Sequence, residues 1–417
     1  MIVRNLAAAL AGLTLIVEPA RAAEAAPGYT ALFDQVWKAV DEGFYDPTFH
    51  GRDWRGIGAR YRARLGEAKD DAGFSRLANA MLDELKVSHL YLSQPAANAT
   101  KGGVGIGALT ETIGKDEVVV AVVPLTDAQR QGLRVGDRIA NPEALQGALG
   151  QATVLTVIGC DGRRRAVSVR HERAAWPLRH PGFEWRKVTV RPGVKLGYIR
   201  IDRFDDGAAD LADQAMADLD DTQGLVIDVR SNTGGNISGL RLASYFSGES
   251  KPAVALLGRA FLAPLGRAAT AADLAKLPPV RGAYTTEAVF AALKAGQGAA
   301  VFHSEDLGPK RYKGKVVVVT AKETASAGEG FALMMRELAG ATLIGRPTAG
   351  YLLSSDVVTL PGGWRLTLPV DGVWAPDGRD YADRPVVPDV AVPRLAADVC
   401  RADDPDLAKA VELVTAP

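Results

Sequence analysis

Apolar residues recur at helical spacing over the first quarter of the chain. Phe33, Val36, Trp37 and Val40 form one stripe. Ile57, Tyr61 and Leu65 form a second after the break at Tyr45-Asp46-Pro47, and Phe74, Leu77, Met81 and Leu85 a third. Residues three and four apart share a helix face, so residues 29–92 predict a small helical cap. Its last stretch, Lys86 to Leu92, shortens in period toward strand. From Lys195 onward the pattern alternates: strand over 196–201, helix over 210–219, strand over 225–229, helix through Ile237, Leu240 and Ala243. The clearest unit is Lys315 to Glu337, where the β-branched run Val316 to Thr320 predicts a buried strand. A short polar turn follows, and then Phe331, Met334, Met335 and Leu338 mark one face of a helix. A strand at 341–345, a hairpin of 357–360 with 365–370, and a charged terminal helix complete the pattern. Such alternation argues an α/β core. Residues 251–310, rich in Ala, Gly and Pro, show no clear period and predict an irregular insertion, a candidate lid.

Between cap and core lies a β-rich unit. It opens on Gly103-Val104-Gly105-Ile106-Gly107 and continues through Val118 to Val123, Gly132-Leu133-Arg134-Val135-Gly136-Asp137, a short helix near Glu143, and the hairpin 153–158 with 165–169. A dinucleotide fingerprint fails at Ala108, and no long helix follows. The order of glycine loop, strand, helix and hairpin resembles a PDZ domain. That resemblance implies that Gly103, Val104, Gly105 and Ile106 offer backbone N–H groups to a peptide C-terminal carboxylate.

The amino-terminal 22 residues read as a secretory signal: Arg4, an apolar run from Leu6 to Val17, and Ala20-Arg21-Ala22 as cleavage site. The run is too short to span a bilayer, and no later segment is apolar enough to do so. The expected mature protein is soluble, exported, and periplasmic or secreted. Lys+Arg and Asp+Glu are equal at 49 each, which argues against a nucleic-acid partner. The length of 417 residues allows two or three domains. Of the two cysteines, Cys160 and Cys400, neither has a neighbour at metal-ligand spacing. Sequence leaves open whether they pair.

Candidate chemistry centres on Ser326, at the junction of strand and helix. Ser326-Ala327-Gly328-Glu329 fits a capping box. The same place exposes a hydroxyl beside unpaired backbone N–H groups, as nucleophilic serines require. Arg230-Ser231-Asn232-Thr233-Gly234-Gly235 is a second strand-to-helix turn able to present N–H groups to an anion. It lacks the Gly-Lys-Ser/Thr of a phosphate loop. Of five histidines, His50, His171, His180 and His303 read as surface or structural residues. His89, after Ser88 at an element boundary, stays open.

Taken in order, the cap ending in Ser88-His89, the PDZ-like unit, Asp228-x-Arg230-x-Asn232-x-Gly234-Gly235, Thr324-Ala325-Ser326-Ala327-Gly328-Glu329, Ile344-Gly345-x-Pro347-Thr348-x-Gly350 and Val387-Pro388-Asp389 resemble the serine peptidase family of C-terminal processing (tail-specific) proteases and the tricorn protease core. The resemblance implies a crotonase-like α/β core at 185–398, with a helical cap at 23–95, a PDZ-like domain at 103–173 and a helical tail at 399–417. It implies Ser326 as nucleophile, with Gly234, Gly235 and Ala327 supplying the oxyanion N–H groups. Where the tail-specific branch has a lysine base this chain has Tyr351, so the tricorn-type pair Ser88-His89 is the expected base. At the place of the glutamate that steadies this pair stands Ala382. Asp380 and Asp383 both lie beside it, and Asp383 is carried in the candidate set. The implied function is an exported serine endopeptidase that hydrolyses unfolded or tail-tagged polypeptides through an acyl-enzyme, with neither metal nor cofactor. The rival is a catalytically silent member that binds a hydrophobic ligand or peptide.

Overall fold

The computed structural model describes residues 28–95, 104–173, 182–401 and 403–416. Residues 1–22, expected to be a signal, as well as Gly103 and His180, lie outside them. Three helices open the described chain: Tyr29–Gly43, Trp54–Arg62 and Asp71–Leu82. Asp53 and Asp70 cap the second and third by accepting the N–H of Gly56 and of Gly73. Their apolar stripes bury Phe33, Val36, Val40, Ile57, Phe74 and Met81 against one face of a sheet.

That sheet has six strands, in the order Tyr91–Ser93, Arg365–Trp374, Pro252–Gly258, Ala299–His303 and Pro279–Val280, with Ser354–Thr359 also paired to Arg365–Trp374. Two of its interior strands come from residues 251–310. The expectation of an irregular insertion is therefore corrected: the segment holds the strands Pro252–Gly258 and Ala299–His303, and helices at Arg259–Leu265, Ala271–Leu274 and Thr286–Ala295. Both strands are buried along nearly their whole length. A strand covered on both faces shows no alternation, and Ala253, Ala255, Ala299 and Ala300 dilute its apolar signal.

The second six-stranded sheet runs Val390–Ala391, Thr342–Gly345, Lys315–Thr320, Gly224–Asp228, Val194–Ile201, Phe183–Arg191. Its pairings are parallel except the last, an antiparallel hairpin. The helices Ala208–Asp218, Gly239–Ser244 and Ala327–Ala339 pack on it through Met216, Leu240, Phe331 and Met335, around Ile199, Ile227 and Val318. The helix Pro405–Thr415 covers the other face through Ala410 and Val414. It is tied down by Arg230 and Arg346, both paired to the buried Asp406 at 2.9 and 2.6 Å.

Residues 108–170 form an antiparallel five-stranded sheet, Ala108–Ile113, Asp116–Val122, Arg138–Ile139, Ala152–Ile158, Arg164–Arg170, around Val119, Leu155, Val157 and Val167. A disulfide joins Cys160, after the fourth of these strands, to Cys400 near the C-terminus, with Cα atoms 5.6 Å apart. Gly136 (φ 90°) lies against both sulfurs, where a Cβ would collide. Among the described residues no helix is long and apolar enough to cross a membrane.

Candidate active site

Two turns leave neighbouring strands of the parallel sheet on the same side and are stitched together. Asn232, fully buried, donates from Nδ2 to the Ile201 carbonyl and accepts the Gly234 N–H at 2.9 Å, while its own carbonyl accepts the Ala325 N–H at 2.9 Å. Thr324 Oγ1 donates to the Val229 carbonyl and accepts the Ala321 N–H. Gly234 thereby lies against Ser326, so close that a Cβ on it would come within 2.8 Å of the serine Cβ.

Ser326 precedes the helix Ala327–Ala339 at φ 53°, ψ −120°. A side chain held in that region costs about 1–3 kcal/mol and persists only because its surroundings impose it. The enforcing group is Glu329, fully buried, whose carboxylate accepts four donors: the N–H of Ser326 (2.9 Å), Gly350 (2.7 Å) and Tyr351 (2.7 Å), and the Thr348 hydroxyl (2.5 Å). Burial raises the carboxyl pKa, against the pull of these donors. The Glu329 N–H bonds the Ser326 main-chain carbonyl at 2.9 Å. The glutamate reaches back to the serine N–H, but the Ser326 hydroxyl makes no capping bond and stays available. Thr348 and Gly350, read in the sequence as a motif, serve this carboxylate. Tyr351, in the place of the absent lysine, is 55% exposed and lies off the cavity.

Ser326, Ala327, Gly235 and His89 line one cavity of about 440 Å³. Among the described residues the N–H groups of Gly235 and Ala327 make no hydrogen bond, whereas that of Gly234 is taken by Asn232. The open pair of donors is thus Gly235 with Ala327, and Gly234 serves as the close-packed neighbour. His89, half-buried at φ 57°, places Nδ1 2.9 Å from the Ser88 hydroxyl, and its Nε2 makes no hydrogen bond among the described residues. Burial lowers the imidazole pKa, and the charge of Asp383 opposes that shift. Asp383 accepts the Ser88 N–H at 3.3 Å, and its other oxygen is buried without a partner. Asp380 accepts the Ala382 N–H instead. The geometry therefore puts Asp383 beside Ser88-His89. Ser326 and His89 face the same cavity without a hydrogen bond between them, a looseness common to sites that tighten only on substrate.

Val104 and Gly105 pair with Glu172–Arg173, and Ile106 is buried in the five-stranded unit. Neither these residues nor His50, His171 or His303 line the cavity. Much of its wall comes from residues that the sequence did not single out. Val254, Leu256, Val289 and Phe290 belong to the segment expected to be irregular, and Arg203 follows the strand Val194–Ile201. The run Val254-Ala-Leu256 was the one signal available for the former. Among the described residues no cluster of His, Cys, Asp and Glu could hold a metal ion.

Residues 195–392 match peptidase family S41, and residues 28–83 match the tricorn protease C1 domain. The chain is 26% identical to the chloroplastic C-terminal processing peptidase of Tetradesmus obliquus, over 91% of its own length and 82% of the relative's. Its mixed α/β fold is similar to that of a solved photosystem II D1 C-terminal processing protease, at a TM-score of 0.55 and 21% identity over 94% of this chain and 98% of the other. It is also similar to mature CPAF complexed with lactacystin, at 0.63 and 14% over 89% and 95%.

Proposed function

Because the chain belongs to peptidase family S41 and is a serine-type peptidase, we propose that it hydrolyses peptide bonds near the C-termini of polypeptides, with Ser326 as nucleophile and His89 as base. The observation that carries this reading is the uncommitted Ser326 hydroxyl. It sits in a strained turn on one cavity with His89 and with the two open N–H groups of Gly235 and Ala327. A serine hydroxyl needs an adjacent base to attack a carbonyl. His89, neutral at pH 7 because burial lowers its pKa, takes the proton through Nε2 as Ser326 Oγ bonds to the carbonyl carbon. The oxyanion is received by the Gly235 and Ala327 N–H groups, each worth about 3–4 kcal/mol of barrier if lost. The imidazolium then gives its proton to the leaving amine. Water, activated by the same imidazole, attacks the resulting ester and releases the acid. Ser88 holds the ring through Nδ1, and Asp383 fixes Ser88 and steadies the imidazolium.

The finer reading keeps the crotonase-like core at 185–398, the cap at 23–95, the tail at 399–417, and 103–173 as a PDZ-like module for peptide C-termini. Export after cleavage at residue 22 is supported by the disulfide, since such bonds persist in oxidising compartments. The decisive experiment is labelling with a fluorophosphonate probe. The wild-type protein should be modified on Ser326 and lose peptide hydrolysis, and Ser326→Ala should show neither. A wild-type protein that stays unlabelled and inactive on unfolded protein would sink the proposal in favour of a silent ligand-binding member.

A further inference from the structure

The cavity has an uneven chemistry. Its depth is apolar, with Val254, Leu256, Met334 and Val373 among the walls, and among its described lining residues the one side chain charged at pH 7 is Arg203. Among the described residues no carboxylate lines it. Arg203 is exposed and makes no side-chain ion pair or hydrogen bond among the described residues. The acids next to it in sequence are engaged elsewhere. Asp202 pairs with Arg200 at 2.8 Å, and Asp205 accepts the Gly207 N–H. Asp206 accepts Asn236 Nδ2 and the N–H and hydroxyl of Thr286 at 2.5 to 3.0 Å.

Position adds to this. Arg203 precedes Phe204, whose backbone bridges to Gly235 by bonding the Gly234 carbonyl and the Asn236 N–H, so Arg203 sits one residue from the backbone segment that flanks the open N–H. The 13-residue helix Ala327–Ala339 starts at the same cavity, and its N-terminus carries positive partial charge. Open N–H groups, a helix N-terminus and an unpaired guanidinium thus make the described lining electropositive, with the Asp206 carboxylate set behind the lining residues Asn236 and Thr286 that bond it. A low-dielectric cleft lined by one sign of charge concentrates ligands of the other.

We infer that Arg203 is a specificity-determining residue that receives a carboxylate of the bound polypeptide within a few residues of the cleaved bond. A carboxylate matches the planar, multiply donating guanidinium, and the apolar walls beyond take the neighbouring side chain. The source is an acidic side chain or the chain's own C-terminus. The inference rests on the cavity being the peptidase site.

The test uses quenched decapeptides of one sequence in which Asp, Asn or Lys occupies each of the three positions on either side of the cleaved bond, each made as free acid and as C-terminal amide. At one position the wild-type kcat/KM should favour Asp over Lys about tenfold or more, the scale of one charge-assisted contact. Arg203→Ala should bring that ratio close to one, and Arg203→Glu should invert it. If the ratio follows the free acid instead, the carboxylate received is the chain end. The same peptides bound to Ser326→Ala protein, read by fluorescence anisotropy, give the discrimination as a ratio of Kd without turnover. An Asp/Lys ratio equal in wild type and Arg203→Ala, with no difference between acid and amide, overturns the inference while hydrolysis itself stands. Discrimination in Kd that depends on Arg203, in a protein that hydrolyses nothing, keeps Arg203 as a carboxylate receptor but overturns both its role in cleavage specificity and the peptidase reading of the site.

Discussion

Ser326 is held where an L-residue is strained, and that strain is separable from its hydroxyl. At φ 53°, ψ −120° a glycine would sit without the Cβ clash. Ser326→Gly should therefore lose hydrolysis yet unfold at a higher denaturant midpoint, reflecting a gain of about 1 kcal/mol in stability, whereas Ser326→Ala loses hydrolysis with no such gain. Equal midpoints for the two variants would show the turn to be relaxed. With His89 as the proposed base, its titration sets the expected pH dependence. A base must be deprotonated to act, so activity falls as pH drops through its pKa. Residue type alone points to an acidic limb of roughly 6–7.5, but burial lowers the imidazole pKa, so the limb in kcat/KM should fall below the ordinary value of about 6.5. Asp383 pulls the other way, raising the pKa. Asp383→Asn should move the limb to still lower pH while reducing kcat, and a limb that stayed put would exclude Asp383 as the facing charge. His89→Ala should lose nearly all activity, as members of one catalytic unit are not additive, and the exposed Tyr351 should tolerate Tyr351→Phe.

The strand Arg365–Trp374 carries a buried acid in a largely apolar sheet. Asp371 faces Gly258 on one neighbouring strand and accepts from the Ser354 hydroxyl on the other at 3.2 Å. Burial pushes its pKa up to about 6. A carboxyl whose folded pKa exceeds its unfolded value favours the native state while protonated. Its contribution is full below the unfolded pKa of about 3.9 and is lost as pH rises through about 6. Between pH 3.5 and 7 the stability of wild type relative to Asp371→Asn should therefore decline by about 2–3 kcal/mol, read from parallel urea titrations. A constant difference across that range would mean Asp371 is solvated. Elements of this kind also mark where sequence reading succeeds and fails. The helices of the cap and the strand-turn-helix around Ser326 were legible because each exposes one face, so its period survives in the sequence. Strands Pro252–Gly258 and Ala299–His303 are buried on both faces and rich in alanine, and look irregular without their neighbours. At the candidate site, Ser326 and the glycine turn stand out in the sequence at strand-to-helix junctions, whereas Ser88-His89 was singled out only through the family resemblance. The engagement of the Gly234 N–H by Asn232, the fourfold use of Glu329 and the lack of an ion pair at Arg203 among the described residues are properties of three-dimensional contacts, for which no spacing exists.

At the scale of the whole molecule, ion pairs and one disulfide link the five-stranded unit to the rest. Glu111, on its first strand, pairs with Arg394 at 2.6 Å and with Lys322 at 3.4 Å, and Lys322 lies in the turn that leads to Ser326. Cys160 and Cys400 add a covalent link across 240 residues of sequence. The ion pairs are partly solvated and worth at most about 1 kcal/mol each. The disulfide, by limiting the unfolded chain, should contribute about 2–4 kcal/mol, a figure that grows only slowly with so long a loop. The double variant Cys160→Ser/Cys400→Ser should accordingly melt below the oxidised wild type. Dithiothreitol should bring the wild-type Tm down to that of the variant and leave the variant unchanged. The bond connects two parts instead of bracing one core, so the loss should be uneven. Hydrogen exchange in the variant should quicken most along strands Ala108–Ile113 and Asp116–Val122 and at the 396–400 turn, with the parallel sheet around Val318 least affected. Uniform acceleration throughout would show that the disulfide stabilises the fold globally and not the docking of this unit. An unchanged Tm in both reductant and variant would show that Glu111, Arg394 and Lys322 hold it without covalent help.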